Sequence, residues 1–96
     1  MKYLTLGIHY PKEGFSQNIL EVAEKVSSIA STCEGNIEAG AWLDEENDRI
    51  IMLSLWENSD LAFEASKKLR PIIAETPFSE WERKPSDNMT NLKRLI

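Results

Sequence analysis

Apolar residues recur at two different spacings along this chain, and the spacing marks out its elements. From Lys2 to Tyr10 they alternate: Leu4, Leu6 and Ile8 share one face, and Tyr3, Thr5, Gly7 and His9 the other. That period of two predicts a strand, which Pro11-Lys12-Glu13-Gly14 ends with turn residues. Ser16 stands where a helix N-cap belongs. Beyond it Ile19, Val22, Ala23, Val26, Ile29, Ala30 and Cys33 follow at spacings of three and four. This is a single apolar stripe on a helix that lays one face onto something flat. Gly35 is placed to end that helix with a left-handed residue.

A second strand is predicted over Ile37 to Leu43, with Ile37, Ala39, Ala41 and Leu43 on one side and Gly40 and Trp42 on the other. The polar run Asp44-Glu45-Glu46-Asn47-Asp48 reads as a hairpin loop into a third strand, Arg49 to Glu57. Ser59 is the expected cap of a second helix carrying Leu61, Ala62, Ala65 and Leu69, and Pro71 is expected to kink or restart it. Thr76-Pro77 then reads as an N-cap and first helical residue of a short helix bearing Phe78 and Trp81. After Pro85-Ser86-Asp87-Asn88, the weak alternation from Met89 to Leu95 predicts a fourth strand.

The order is strand, helix, strand, strand, helix, short helix, strand. It predicts an α+β fold, the ferredoxin-like βαββαβ sandwich: a four-stranded antiparallel sheet with the helices on one face. The third strand is informative because Ile50-Ile51-Met52-Leu53-Ser54-Leu55-Trp56 is apolar on both faces, whereas a strand with one solvated face alternates. Helices cover one side. Either Ile51, Leu53 and Leu55, or Ile50, Met52 and Trp56, is left on the other. Together with Leu4, Leu6 and Ile8 the uncovered face amounts to roughly several hundred Å², more than a monomer ordinarily exposes. A symmetric homodimer with the two sheets face to face removes the problem.

Composition narrows the function classes. Ninety-six residues make one domain over 1–96, with roughly 60–70% of the extended surface buried on folding. A net charge of −5 argues against nucleic acid as a partner, since Lys67, Lys68 and Arg70 read as complements to a helix dipole. The single cysteine, Cys33, excludes an internal disulfide and a cysteine metal cluster. No apolar run approaches the roughly 18 residues of a membrane span, and the chain leads directly into a strand. A cytoplasmic location with no membrane partner is expected. Asp44, Glu45, Glu46 and Asp48 lack the glycine and terminal glutamate of a calcium loop, so no metal site is expected.

The junction Leu53-Ser54-Leu55-Trp56-Glu57-Asn58-Ser59-Asp60 resembles the aliphatic–Trp–Glu–small–Ser junction of the antibiotic-biosynthesis-monooxygenase-like group of the dimeric α/β-barrel superfamily. The turn with Gly14 and the Glu34-Gly35-Asn36 turn are similar too. The resemblance spans nearly the whole chain in element order. It implies a dimeric α/β barrel and, for an enzyme, a cofactor-independent monooxygenase of a small aromatic or quinol-type substrate. The alternative is a non-catalytic dimeric binding or structural module of the same fold. The haem-degrading branch of the superfamily uses an Asn, a Trp and a His where this chain has Gly7, Ala65 and Glu75. With no histidine after His9, a haem-binding relative is the weaker option. No cofactor is expected.

The resemblance also implies that Met52, Ser54 and Trp56 face the helices, where such proteins have a pocket. Of the two faces of the first strand, the one with Thr5, Gly7 and His9 is preferred, because its small residues leave room for a ligand. The expected pocket is floored by Thr5, Gly7, Ser54 and Trp56, with His9 and Trp42 near the rim and Phe63, Phe78 and Trp81 on the helical wall. An apolar cavity with few polar groups suits a flat aromatic ligand. His9, the one histidine, is the candidate general base. Trp56 is the candidate wall, unless it is simply a core indole. Ser54 and Asn58 are the candidate hydrogen-bond donors. Glu57 is read as structural, near the helix cap.

Overall fold

Seven elements form in the computed structural model, which describes the backbone of all 96 residues and every side chain except that of Asn88. They are β1 (Tyr3–His9), α1 (Ser16–Ser31), β2 (Asn36–Asp44), β3 (Arg49–Trp56), α2 (Ser59–Glu75), α3 (Phe78–Trp81) and β4 (Asp87–Lys93). The strands make one antiparallel sheet in the order β2-β3-β1-β4. The helices lie on one face, giving the ferredoxin-like α+β sandwich predicted from the spacing.

Register decides which residues meet. Tyr3, Thr5, Gly7 and His9 of β1 stand opposite Trp56, Ser54, Met52 and Ile50 of β3, so these two sets share the helix-covered face. Leu4, Leu6 and Ile8 pair with Leu55, Leu53 and Ile51 on the open face. Trp42, opposite Ile51, extends this apolar surface and is 56% exposed. Under the helices, Ala30, Trp56, Ala62 and Ala65 form a buried cluster with Tyr3, Cys33, Ala39 and Leu69 packed against it. The lone thiol thus packs against the core, its Sγ 3.4 Å from the Ile29 carbonyl.

Several local expectations are corrected. Ser16 is the first residue of α1 rather than its cap, and Phe15 at the cap position supplies no side-chain hydrogen bond. Asn58, not Ser59, caps α2: its Oδ1 accepts the Leu61 N–H at 2.9 Å. That helix continues through Pro71 to Glu75 as one element. Pro71 is exposed, so the carbonyl deprived of its donor faces the watered side. Lys67, Lys68 and Arg70 therefore lie inside α2, and its last turn holds no basic residue. At α3 neither Thr76 nor Pro77 provides a side-chain cap; the Thr76 hydroxyl donates back to the Ile72 carbonyl instead. β4 begins two residues earlier than its alternation suggests.

The hairpin between β2 and β3 closes through Asp44, which accepts from Asn47 and pairs with Arg49 at 2.7 Å. The hydrogen bonds from Asn47 and Arg49 hold the Asp44 carboxyl below its ordinary pKa. Among the described residues, no group of three His, Cys, Asp or Glu side chains is placed to hold a metal ion. Among the same residues no helix is long and apolar enough to cross a membrane.

Candidate functional site

Small side chains face one another between the sheet and α2. Thr5 and Gly7 of β1, Ala39 of β2 and Ser54 of β3 line one side of a cavity, and Ala62 and Ser66 of α2 line the other. Close packing between sheet and helix needs large side chains to fill the gap, and these are too short. The result is a cavity of about 620 Å³, a size that suits a small organic ligand. Phe63 on α2 and Met89 on β4 border it and are 55% and 53% exposed, which places the opening between those two elements.

His9 stands at the end of β1 with only 7% of its surface exposed. Its ring stacks on Phe78 with centroids 4.6 Å apart, and Trp81 meets Phe78 edge-on at 6.0 Å. A Cβ placed on Gly7 would lie 3.6 Å from His9 Nε2. The missing side chain at Gly7 therefore leaves that nitrogen open to the cavity, which both residues line.

The other ring nitrogen is engaged. Nδ1 lies 3.2 Å from Ser86 Oγ and 3.5 Å from Glu82 Oε1. Ser86 donates its own proton to Glu82 Oε2, so its oxygen is free to accept from Nδ1–H. Glu82 is 5% exposed and also accepts the Tyr10 N–H at 2.7 Å. This chain of bonds puts the imidazole proton on Nδ1 and the lone pair on Nε2. Burial lowers the His9 pKa below its ordinary 6.5, and the Glu82 carboxylate only partly opposes that shift. The shift favours the neutral ring, whose Nε2 is then the acceptor toward the cavity.

Two features of the backbone bring Glu82 and Ser86 to this histidine. The segment after α3 pairs with the end of β1: Pro11 bridges Glu82, Lys12 N–H donates to the Trp81 carbonyl at 2.8 Å, and Arg83 N–H donates to that of Tyr10 at 2.9 Å. β4 then carries a bulge against β1 between the Leu6–Thr90 and Ile8–Asp87 pairs. A bulge of this kind re-aims the residues beside it. Asp87 borders the cavity with Ser86, but its carboxylate already accepts from the Tyr10 hydroxyl at 2.7 Å.

On the floor, Thr5 Oγ1 and Ser54 Oγ are 2.6 Å apart, and the Trp56 indole N–H donates to Ser54 at 3.0 Å. Trp56 is 1% exposed. It borders the cavity as a packed wall, with its one donor already used.

The fold thus brings Thr5, Gly7, His9, Ser54, Trp56, Phe63 and Phe78 around one cavity. Three residues expected there stand elsewhere. Trp42 projects from the opposite face of the sheet, because strand alternation sets it against Ile51. Asn58 spends its side-chain oxygen on the α2 cap. Trp81 sits behind Phe78 and supports it without lining the cavity. Glu82, Ser86 and Arg70 join the site without a clear sign in the sequence. For Glu82 and Ser86 no local spacing points to His9. Arg70 shares a helical face with Phe63 and Ser66 at spacings of seven and four, a signal obscured by its assignment to a helix end.

No protein-family model matches this chain, and no curated protein matches it in sequence. Solved structures do match its shape. Rv0793 from Mycobacterium tuberculosis superposes with a TM-score of 0.82 at 9% identity, covering 100% of this chain and 97% of its own. A candidate antibiotic biosynthesis monooxygenase from Nitrosomonas europaea gives 0.74 at 13% identity, over 98% of this chain and 90% of its own. A point mutant of SnoaB, a cofactor-independent oxygenase from Streptomyces nogalater, gives 0.74 at 7% identity, over 97% and 92%. At such identities the likeness concerns architecture. The chain has the antibiotic-biosynthesis-monooxygenase-like fold, in agreement with the resemblance carried by its Trp56-Glu57-Asn58-Ser59 junction.

Proposed function

We propose that this protein is a cofactor-independent monooxygenase of a small aromatic or quinol-type substrate. The observation that carries the reading is a buried His9 on the wall of a largely apolar cavity, with Nδ1 held by Ser86 and Glu82 and Nε2 left open beside Gly7. A flat phenol fits between Phe63 and the small residues of the sheet, with its hydroxyl toward Nε2. His9 takes the phenolic proton as a general base, which contributes about 10²–10⁴-fold in rate. The electron-rich phenolate gives up electrons to dioxygen, and one oxygen atom bonds to the ring carbon para to the hydroxyl. The other leaves as water, so that phenol and dioxygen become quinone and water. The protein supplies positioning, proton removal and a dry site. The neighbouring cofactor-independent oxygenase of the same fold is consistent with this chemistry. The working unit in this reading is a cytoplasmic homodimer joined through the open sheet faces.

The test is oxygen uptake on a panel of quinols and polyphenols with no added cofactor. Turnover is expected, and His9→Ala should lower it about 10²-fold or more while circular dichroism stays unchanged. An unaltered rate in that variant would remove His9 from the mechanism. A non-catalytic binding module would give no uptake with any member of the panel.

A further inference from the structure

Arg70 is a cation in the cavity lining without a carboxylate. Its guanidinium carbon lies 5.9 Å from the centre of the Phe63 ring, and both residues line the cavity. The other basic side chain on that ring, Lys67, is paired with Glu64 at 2.9 Å. Arg49 and Arg83 are likewise paired with Asp44 and Asp48. Among the described residues, Arg70 makes no hydrogen bond or ion pair, so its donors are uncommitted beyond the aromatic contact. Stacking on an aromatic face orients a guanidinium plane without consuming its N–H groups.

The opposite polarity prevails around His9. The Glu82 carboxylate lies behind the imidazole, and Asp87 borders the cavity beside Ser86. An anionic group is repelled there and attracted to Arg70. A planar carboxylate matches the guanidinium fork through two parallel hydrogen bonds. Side chains on a helix lean toward its N-terminus, which carries the Arg70 guanidinium back over the Phe63 ring.

We propose that the cavity selects aromatic ligands bearing two different groups: a hydroxyl that meets His9 Nε2 and a carboxylate that pairs with Arg70. Hydroxyaryl carboxylates are therefore the substrate class, and Arg70 is the residue that determines specificity. The inference rests on the cavity being the ligand site and not on the reaction assigned to it.

Calorimetric titration with 6-hydroxy-2-naphthoate and 2-naphthol tests it without turnover, since the two probes differ only in the carboxylate. A charge-assisted pair contributes about 1.5–3 kcal/mol, so the acid should bind native protein about tenfold or more tightly than the alcohol. Arg70→Gln should abolish this advantage, bringing the two affinities together, while Arg70→Lys keeps part of it. Raising the salt concentration should narrow the gap. Equal affinities in native protein, a preference that survives Arg70→Gln, or no binding of either probe would overturn the proposal. Oxygen uptake separates the two readings. A preference dependent on Arg70, with no uptake from any quinol, removes the oxygenase alone. Uptake without the preference removes the carboxylate specificity alone.

Discussion

His9 and Glu82 set the chemistry of the cavity through a contact between groups far apart in sequence. The His9 pKa is lowered by burial first and raised in smaller measure by Glu82. A histidine with its folded-state pKa below 6.5 binds a proton more readily in the unfolded chain. Its contribution to stability is therefore complete above pH 6.5 and declines as pH falls through 6.5 toward the folded-state value. Because the chain has one histidine, its imidazole resonance in a proton NMR titration reports this group alone. The midpoint should lie below 6.5. Glu82→Gln should move it lower still, since the attraction of the carboxylate is lost and the burial remains. An unchanged midpoint in that variant would show that Glu82 does not act on His9. His9 is legible in the sequence as the one side chain with a near-neutral pKa. Its partner Ser86, 77 residues away, is not, because only the pairing of the segment after α3 with β1 brings the two together.

Among the elements, the junction of α1, β2 and α2 is the most constrained. Gly35 has a φ of +83°, and a Cβ there would lie 2.4 Å from Leu61 Cδ1 and 2.8 Å from Leu61 Cβ. Its carbonyl accepts the Glu57 N–H at 2.9 Å, and the Asn58 cap follows one residue later. The turn after α1 is therefore pressed directly against the first turn of α2. Gly35→Ala adds backbone strain and a clash, each costing about 1–3 kcal/mol. Urea unfolding should show a fall of about 2–6 kcal/mol from the two together, smaller in a Leu61→Ala background, which removes the contact with Cδ1 and keeps the 2.8 Å one with Cβ. Equal costs in both backgrounds would mean that Leu61 moves aside freely. The glycine is readable as a helix stop from its place after the apolar stripe. The choice of Asn58 over Ser59 as cap is not, since both residue types serve and the chain geometry selects between them.

At the scale of the whole molecule, the apolar open face is the surface that the proposed homodimer would bury. Leu4, Leu6, Ile8, Ile51, Leu53 and Leu55 occupy adjacent positions there, with Trp42 beside them. A specific interface between two copies buries about 800 Å² on each, and this sheet face is the apolar surface suited to it. Light scattering at micromolar concentration should give twice the 11.0 kDa chain mass. Ile51→Asp, which sets a charge between Ile8 and Trp42, should return the mass to that of one chain with its circular dichroism retained. A single-chain mass for the native protein would overturn the homodimer.

The hydrophobic pattern by itself determined the element order, the antiparallel hairpin and the presence of a second apolar face on β3. These depend on periodicity within a few residues, which neighbours along the chain express directly. The tertiary structure decided which face of each strand the helices cover, that Trp42 lies outside the cavity, that Ser86 and Arg70 line it, and that Glu82 backs His9. Those outcomes follow from register, a β-bulge and the pairing of segments distant in sequence. The same small residues that read as weak packing in isolation, Thr5, Gly7, Ser54 and Ala62, become a cavity only when sheet and helix are set face to face.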